Sequence, residues 1–83
     1  MNKILLEVCV PIIEKKYEIF VPVGKSVEKV TMIIIRSISE MNDGVFNNNS
    51  NLRLYSQKTG ELIPLDTLIK NSGLVNGSKV LLV

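Results

Sequence analysis

Eighty-three residues, 46% of them apolar and 22% charged, suffice for one domain over residues 1–83 with a real core, and exclude both a second domain and a disordered chain. Ten basic residues oppose eight acidic ones, with both signs spread along the length. The densest basic run, Lys15-Lys16, sits between Glu14 and Glu18, which is not the basic stripe of a nucleic-acid binder, and no unbroken apolar run exceeds the length of Met32–Ile35, far too short to span a bilayer.

Residues 3–10 alternate with period two: Ile4, Leu6, Val8 and Val10 share one face, and Lys3, Leu5, Glu7 and Cys9 the other. This predicts a strand ended by Pro11. The stretch from Ile4 to Ile13 is broken by Glu7 and Pro11 and lacks a small-residue cleavage site, so it does not read as a secretory signal. Cys9 is the only cysteine, which leaves no intramolecular disulfide and suits a reducing compartment. A cytoplasmic location is expected. Residues 12–16 read as a connection, and Tyr17 to Val21 alternates again to complete a hairpin.

Pro22 and Gly24 interrupt the second strand. Ser26 is a candidate helix N-cap, and Glu28 suits the positive end of the helix dipole. Val27, Val30, Ile34, Ile38 and Met41 then fall on one helical stripe. Ile33 and Ile35 flank that stripe as boundary residues under loops, and Met32 lies nearly opposite it. Asn42-Asp43-Gly44 reads as a stop signal, and residues 47–51 (Asn-Asn-Asn-Ser-Asn) as a solvated polar loop.

Leu52 to Ser56 predicts a third strand. Lys58-Thr59-Gly60 reverses the chain, and residues 61–63 read as a short fourth strand stopped by Pro64. Residues 65–70 can form a single helical turn. Asn76-Gly77 is a strong tight-turn signal leading into a closing strand, Lys79 to Val83. A helix that follows a hairpin must cover the hairpin's apolar face. A right-handed crossover then sets a later strand parallel to the first, and Val80 and Leu82 match the inward alternation of that central position. The expected class is α+β: a β-grasp with a mixed sheet and one main helix packed on one face.

The run Leu68-Ile69-Lys70-Asn71-Ser72-Gly73-Leu74, then Asn76-Gly77, then Val80-Leu81-Leu82 resembles the closing part of ubiquitin-like domains. Residues 17–22 (Tyr-Glu-Ile-Phe-Val-Pro) followed by residues 26–30 (Ser-Val-Glu-Lys-Val) look like the usual second strand and helix start. The resemblance covers Lys3 to Val83. Among small stand-alone members, the length, the end at the last strand and the Val-Pro and Asn-Gly contexts are most similar to the bacterial YukD/EsaB type. That resemblance implies a small cytosolic accessory or regulatory component of Gram-positive type VII (WXG-type) secretion, with protein partners that include secretion-machine components. It also implies a ubiquitin-like protein without the Gly-Gly tail that conjugation and sulfur carriage require. A generic ubiquitin-like adaptor outside secretion, and a carrier or modifier, are the alternatives.

The residues give little to a catalytic reading. The chain has no histidine, hence neither the commonest general base nor the commonest metal ligand. Cys9 has no histidine partner and reads as a small strand side chain. The carboxylates show no metal-loop spacing. Val23-Gly24-Lys25-Ser26 resembles the end of a phosphate-binding loop, but Ile19 stands where the first glycine is needed. No catalytic residue, cofactor or metal is expected, and the chain is expected not to be an enzyme, to bind no nucleic acid and not to insert into a membrane.

Two apolar surfaces remain once the core is assigned. With Ile4, Leu6, Ile19, Val21, Leu52, Leu54, Val80 and Leu82 inward, the residues Leu5, Cys9, Phe20, Arg53, Tyr55, Leu81 and Val83 point outward. In the β-grasp order Leu5, Tyr55, Leu81 and Val83 are expected to lie close together, with Arg53 at the rim. By the resemblance, this corresponds to the recognition face of ubiquitin. The second surface is the exposed side of the helix around Met32. Weak self-association into a homodimer through either surface is a further expectation.

Overall fold

The computed structural model describes residues 2–41 and 51–83. Its order is β1 (Lys3–Val10), a 3₁₀ turn (Pro11–Ile13), β2 (Lys15–Pro22), α1 (Val27–Met41), β3 (Leu54–Ser56), a 3₁₀ turn (Ile69–Asn71) and β4 (Ser78–Leu82). The strands form one four-stranded sheet in the order β2-β1-β4-β3. β1 runs antiparallel to β2 and parallel to β4, and β3 is antiparallel to β4. This is the mixed sheet and single covering helix expected of a β-grasp.

The alternation read in the sequence decides which side of the sheet is dry. Leu6, Val8 and Val10 of β1, Val21 of β2, Leu54 of β3, and Val80 and Leu82 of β4 are buried. Val27, Val30, Ile34 and Ile38 of α1 close over them, with Ile63 and Ile69 completing the cluster. Ile4, Ile19 and Leu52 pack at its margin. Thr31 is the one buried polar residue among those described, and its hydroxyl donates to the Val27 carbonyl at 2.7 Å. A buried hydroxyl satisfied this way avoids the desolvation cost of an unpaired group.

The hairpin is tighter than the sequence predicts. Glu14 takes a left-handed conformation (φ 52°) and its N–H donates to the Pro11 carbonyl at 3.0 Å. The reversal is therefore complete by Glu14, and Lys15 and Lys16 belong to β2 rather than to a connection. The strand also continues through Pro22, and the Val23 N–H still donates to the Asn2 carbonyl at 2.9 Å.

Other elements shift in the second half. The expected fourth strand is reduced to an isolated bridge between Tyr55 and Leu62. Two backbone bonds flank it, from the Ser56 N–H to the Glu61 carbonyl at 2.9 Å and from the Ile63 N–H to the Leu54 carbonyl at 3.0 Å. The helical turn expected over residues 65–70 appears as the 3₁₀ turn Ile69–Asn71. The Leu65 and Thr67 carbonyls are already engaged, accepting from the Glu28 N–H at 3.0 Å and the Val27 N–H at 2.8 Å. Ser26 caps α1 as expected, its hydroxyl accepting from the Lys29 N–H at 3.2 Å. The amides left over at the helix start are thus satisfied partly by Ser26 and partly by the distant segment 65–67. Met41 does not join the core stripe: it is exposed, because the last turn runs past the cluster, which ends at Ile38. Ile35 packs at the core margin, whereas Ile33 is exposed. The stop signal at 42–44 and positions 47–50 of the Asn-rich stretch lie outside the described residues.

Candidate functional site: the open face of the sheet

The face of the sheet turned away from α1 is organised in rows across the strands. Cys9 stands opposite Lys16 on one side and Leu81 on the other, and Leu81 stands opposite Tyr55. The bridge between Tyr55 and Leu62 extends this row by one side chain. Paired residues present their side chains on the same face, about 5 Å apart. Cys9, Leu81, Tyr55 and Leu62 therefore make one apolar row, with Lys16 at its β2 end. Cys9, Tyr55 and Leu81 are half-buried by their neighbours, while Leu62 is exposed.

Arg53 and Val83 lie next to this row at the far end of β3 and β4. They exchange backbone hydrogen bonds of 2.7 and 3.0 Å, so the sheet pairing extends one residue before the start of β3 and one past the end of β4. Val83 is exposed, and the half-buried Arg53 guanidinium folds back to donate to the Leu52 carbonyl at 3.1 Å. Its planar group is held at the sheet edge by that contact.

Leu5 does not join Leu81, contrary to the sequence expectation. The parallel register sets Leu81 opposite Cys9, so Leu5 lies roughly 13 Å away along β1. Leu5 stands opposite Phe20 instead. Between the two apolar groups runs a charged row in which Glu7 faces Glu18 on one side and Lys79 on the other. Of the predicted residues, the structure brings together Tyr55, Leu81, Val83 and Arg53. It adds Cys9 and Leu62, and it moves Leu5 into a separate pair with Phe20.

The register has an identifiable source. Asn76 and Gly77 dock onto β1: the Leu5 N–H donates to Asn76 Oδ1 at 2.7 Å, and the Leu5 carbonyl accepts from the Gly77 N–H at 2.7 Å. Gly77 has φ 89°, a left-handed conformation that a side chain would resist, and the Ser78 N–H closes the turn on the Val75 carbonyl at 2.9 Å. The turn was legible in the sequence. That its side chain would act as an extra rung of the sheet was not, because the partner is 71 residues away.

Among the described residues, no group of three or more His, Cys, Asp or Glu is placed to hold a metal ion, and no helix is long and apolar enough to cross a membrane. A shallow groove beside the row, lined by Ser56, Leu62, Ile63, Leu74 and Lys79, mixes apolar and polar side chains.

Comparison with solved structures fits this architecture. The ubiquitin-like domain of the Mycobacterium tuberculosis type VII secretion system protein EccD1 superposes with a TM-score of 0.77 at 16% identity, covering 100% of this chain and 99% of that one. The chain has a ubiquitin-like fold. The N-terminal ubiquitin-like domain of the 4931431F19Rik protein gives a TM-score of 0.72 at 21% identity over 99% of this chain and 74% of that one. A chain of the MycP5-free ESX-5 inner membrane complex gives 0.70 at 6% identity, with all of this chain matching 21% of the larger one. No protein-family model matches the chain, and no curated protein matches it.

Proposed function

We propose that the chain is a non-catalytic protein-interaction module of the YukD/EsaB type, acting in the cytoplasm as an accessory or regulatory component of a Gram-positive type VII secretion system. The observation that carries the interaction role is the apolar row Cys9–Leu81–Tyr55–Leu62 on the open face of the sheet, bordered by Val83 and Arg53. An apolar row continuous over neighbouring strands is the kind of surface that a protein partner covers. Leu81 and Tyr55 serve as its anchors, Val83 extends it, and Arg53 orients the partner from the rim. Leu5, with Phe20, makes a second and smaller contact beyond the charged row.

The secretion context is supported by likeness in fold to the EccD1 domain over nearly the full length of both chains. The fold in the ESX-5 inner membrane complex points the same way. In this reading the partner is a component of the secretion machine. An adaptor role outside secretion would use the same face, and the spread of the fold to the 4931431F19Rik protein keeps that second reading in view.

The two readings separate in a Gram-positive host that carries this chain and exports WXG-type substrates. Leu81→Asp in the chromosomal copy is expected to lower export of those substrates to the level of a deletion. Unchanged export in the deletion strain would remove the secretion role. Normal export with Leu81→Asp, but not with the deletion, would move the docking site elsewhere.

A further inference from the structure

The outer strand β2 carries charges of both signs, Lys15, Lys16 and Glu18. β2 ends the sheet, and among the described residues nothing pairs with its far side. The Val23 N–H donates to the Asn2 carbonyl, so in this antiparallel ladder the odd-numbered residues of β2 bond to β1. The N–H and C=O groups of Lys16, Glu18 and Phe20 therefore point away from the sheet. Pro22 has no N–H and Glu14 turns the chain back, so the usable edge is confined to Lys15 through Val21.

Glu18 is poorly matched within its own chain. Its partner across the ladder is Glu7, and the side chain of Lys79 lies beyond Glu7 on β4. Like charges directly opposite on a sheet repel. A second copy of β2, laid antiparallel along the edge with Tyr17 on the two-fold axis, corrects this. Lys16 then faces Glu18 of the other copy, and Glu18 faces its Lys16. These are the residues whose backbone groups point outward, so both N–H and both C=O groups of the pair gain partners together with the ion pairs. Tyr17 meets Tyr17 on the core side. Moving the axis by one residue, to Glu18, would instead set Glu18 against Glu18.

We infer that the open edge of β2 pairs two copies of this chain, antiparallel about Tyr17, into one continuous sheet. The overlap is short, so the pairing is weak and concentration-dependent. An open edge is a ready template for such addition, and a self-complementary patch is what a two-fold interface requires. Lys16 stands at the β2 end of the Leu81 row, but Leu81 itself is on β4 with β1 between it and β2, so Leu81→Asp separates the two surfaces.

Sedimentation velocity over micromolar to millimolar protein tests it. The mass of the wild type should rise toward that of two copies. Lys16→Glu or Glu18→Lys alone should weaken the association by roughly tenfold, because both cross-strand pairs become repulsive. The double exchange, Lys16→Glu with Glu18→Lys, should restore it, and Leu81→Asp should leave it unchanged. In a Cys9→Ser background, Tyr17→Cys should form a disulfide-linked dimer on mild oxidation faster than Glu18→Cys does. A wild type monomeric throughout, single reversals without effect, or faster linkage at Glu18→Cys would each overturn the inference. So would an edge that takes up an unrelated extended peptide but never a second copy. If Tyr17→Cys lowers stability, the charge-exchange series decides alone.

Discussion

The hairpin and helix, residues 3–41, and the closing segment, residues 51–83, reach the same core by different means. In the first, regular elements carry apolar residues at the periods of strand and helix, and burial follows directly. In the second, β3 has three residues, and the chain between it and β4 is held by backbone bonds to distant elements. Lys70 donates to the Val23 carbonyl, Ile69 to the Lys25 carbonyl, and the start of α1 to Thr67 and Leu65. One half is specified by pattern, the other by where its amides and carbonyls find partners. The candidate binding row draws Cys9 from the first half, and Leu81, Tyr55 and Leu62 from the second.

The largest effect should come from the core that both halves share. Ile34→Ala in α1 and Ile69→Ala in the 3₁₀ turn each empty a fully buried site and should cost about 2–5 kcal/mol by chemical denaturation. If Ile69→Ala were nearly neutral, the closing segment would be an accessory to the core and the comparison would fail.

Next comes Gly77→Ala. Nothing lies within 4 Å of the added methyl, so the loss of about 1–2 kcal/mol reports only the φ of 89°. Asn76→Ala should cost about 1 kcal/mol and speed hydrogen exchange at the Leu5 amide, which loses its acceptor. An unchanged Leu5 exchange rate would show that the side-chain rung does not hold the register. The smallest effect is expected at Met41, where Met41→Ala should change stability by less than about 0.5 kcal/mol, because its side chain is exposed.

The sequence was most legible where one periodicity held for a whole element. Leu6, Val8 and Val10 are buried because nothing interrupts their alternation, and Val27, Val30, Ile34 and Ile38 because the helical stripe is unbroken. It misled where an element's end depends on tertiary contacts. Met41 has the right helical phase but no sheet to cover it, and residues 61–63 have strand character but one bridge. The candidate site was read in outline only. Alternation identifies Leu5, Tyr55 and Leu81 as outward-facing, but their grouping depends on the β1–β4 register. That register rests on the long-range contacts of Asn76 and Gly77 with Leu5.

The claim that matters most is that the row centred on Leu81 is a docking surface set on a fold that does not need it. A paired measurement on purified Leu81→Asp tests this directly: thermal unfolding by circular dichroism, and co-purification with type VII secretion components. The melting temperature should fall by no more than about 8 °C, equivalent to about 1 kcal/mol, while co-purification is lost. A variant that cannot fold, or one that co-purifies as the wild type does, would contradict it.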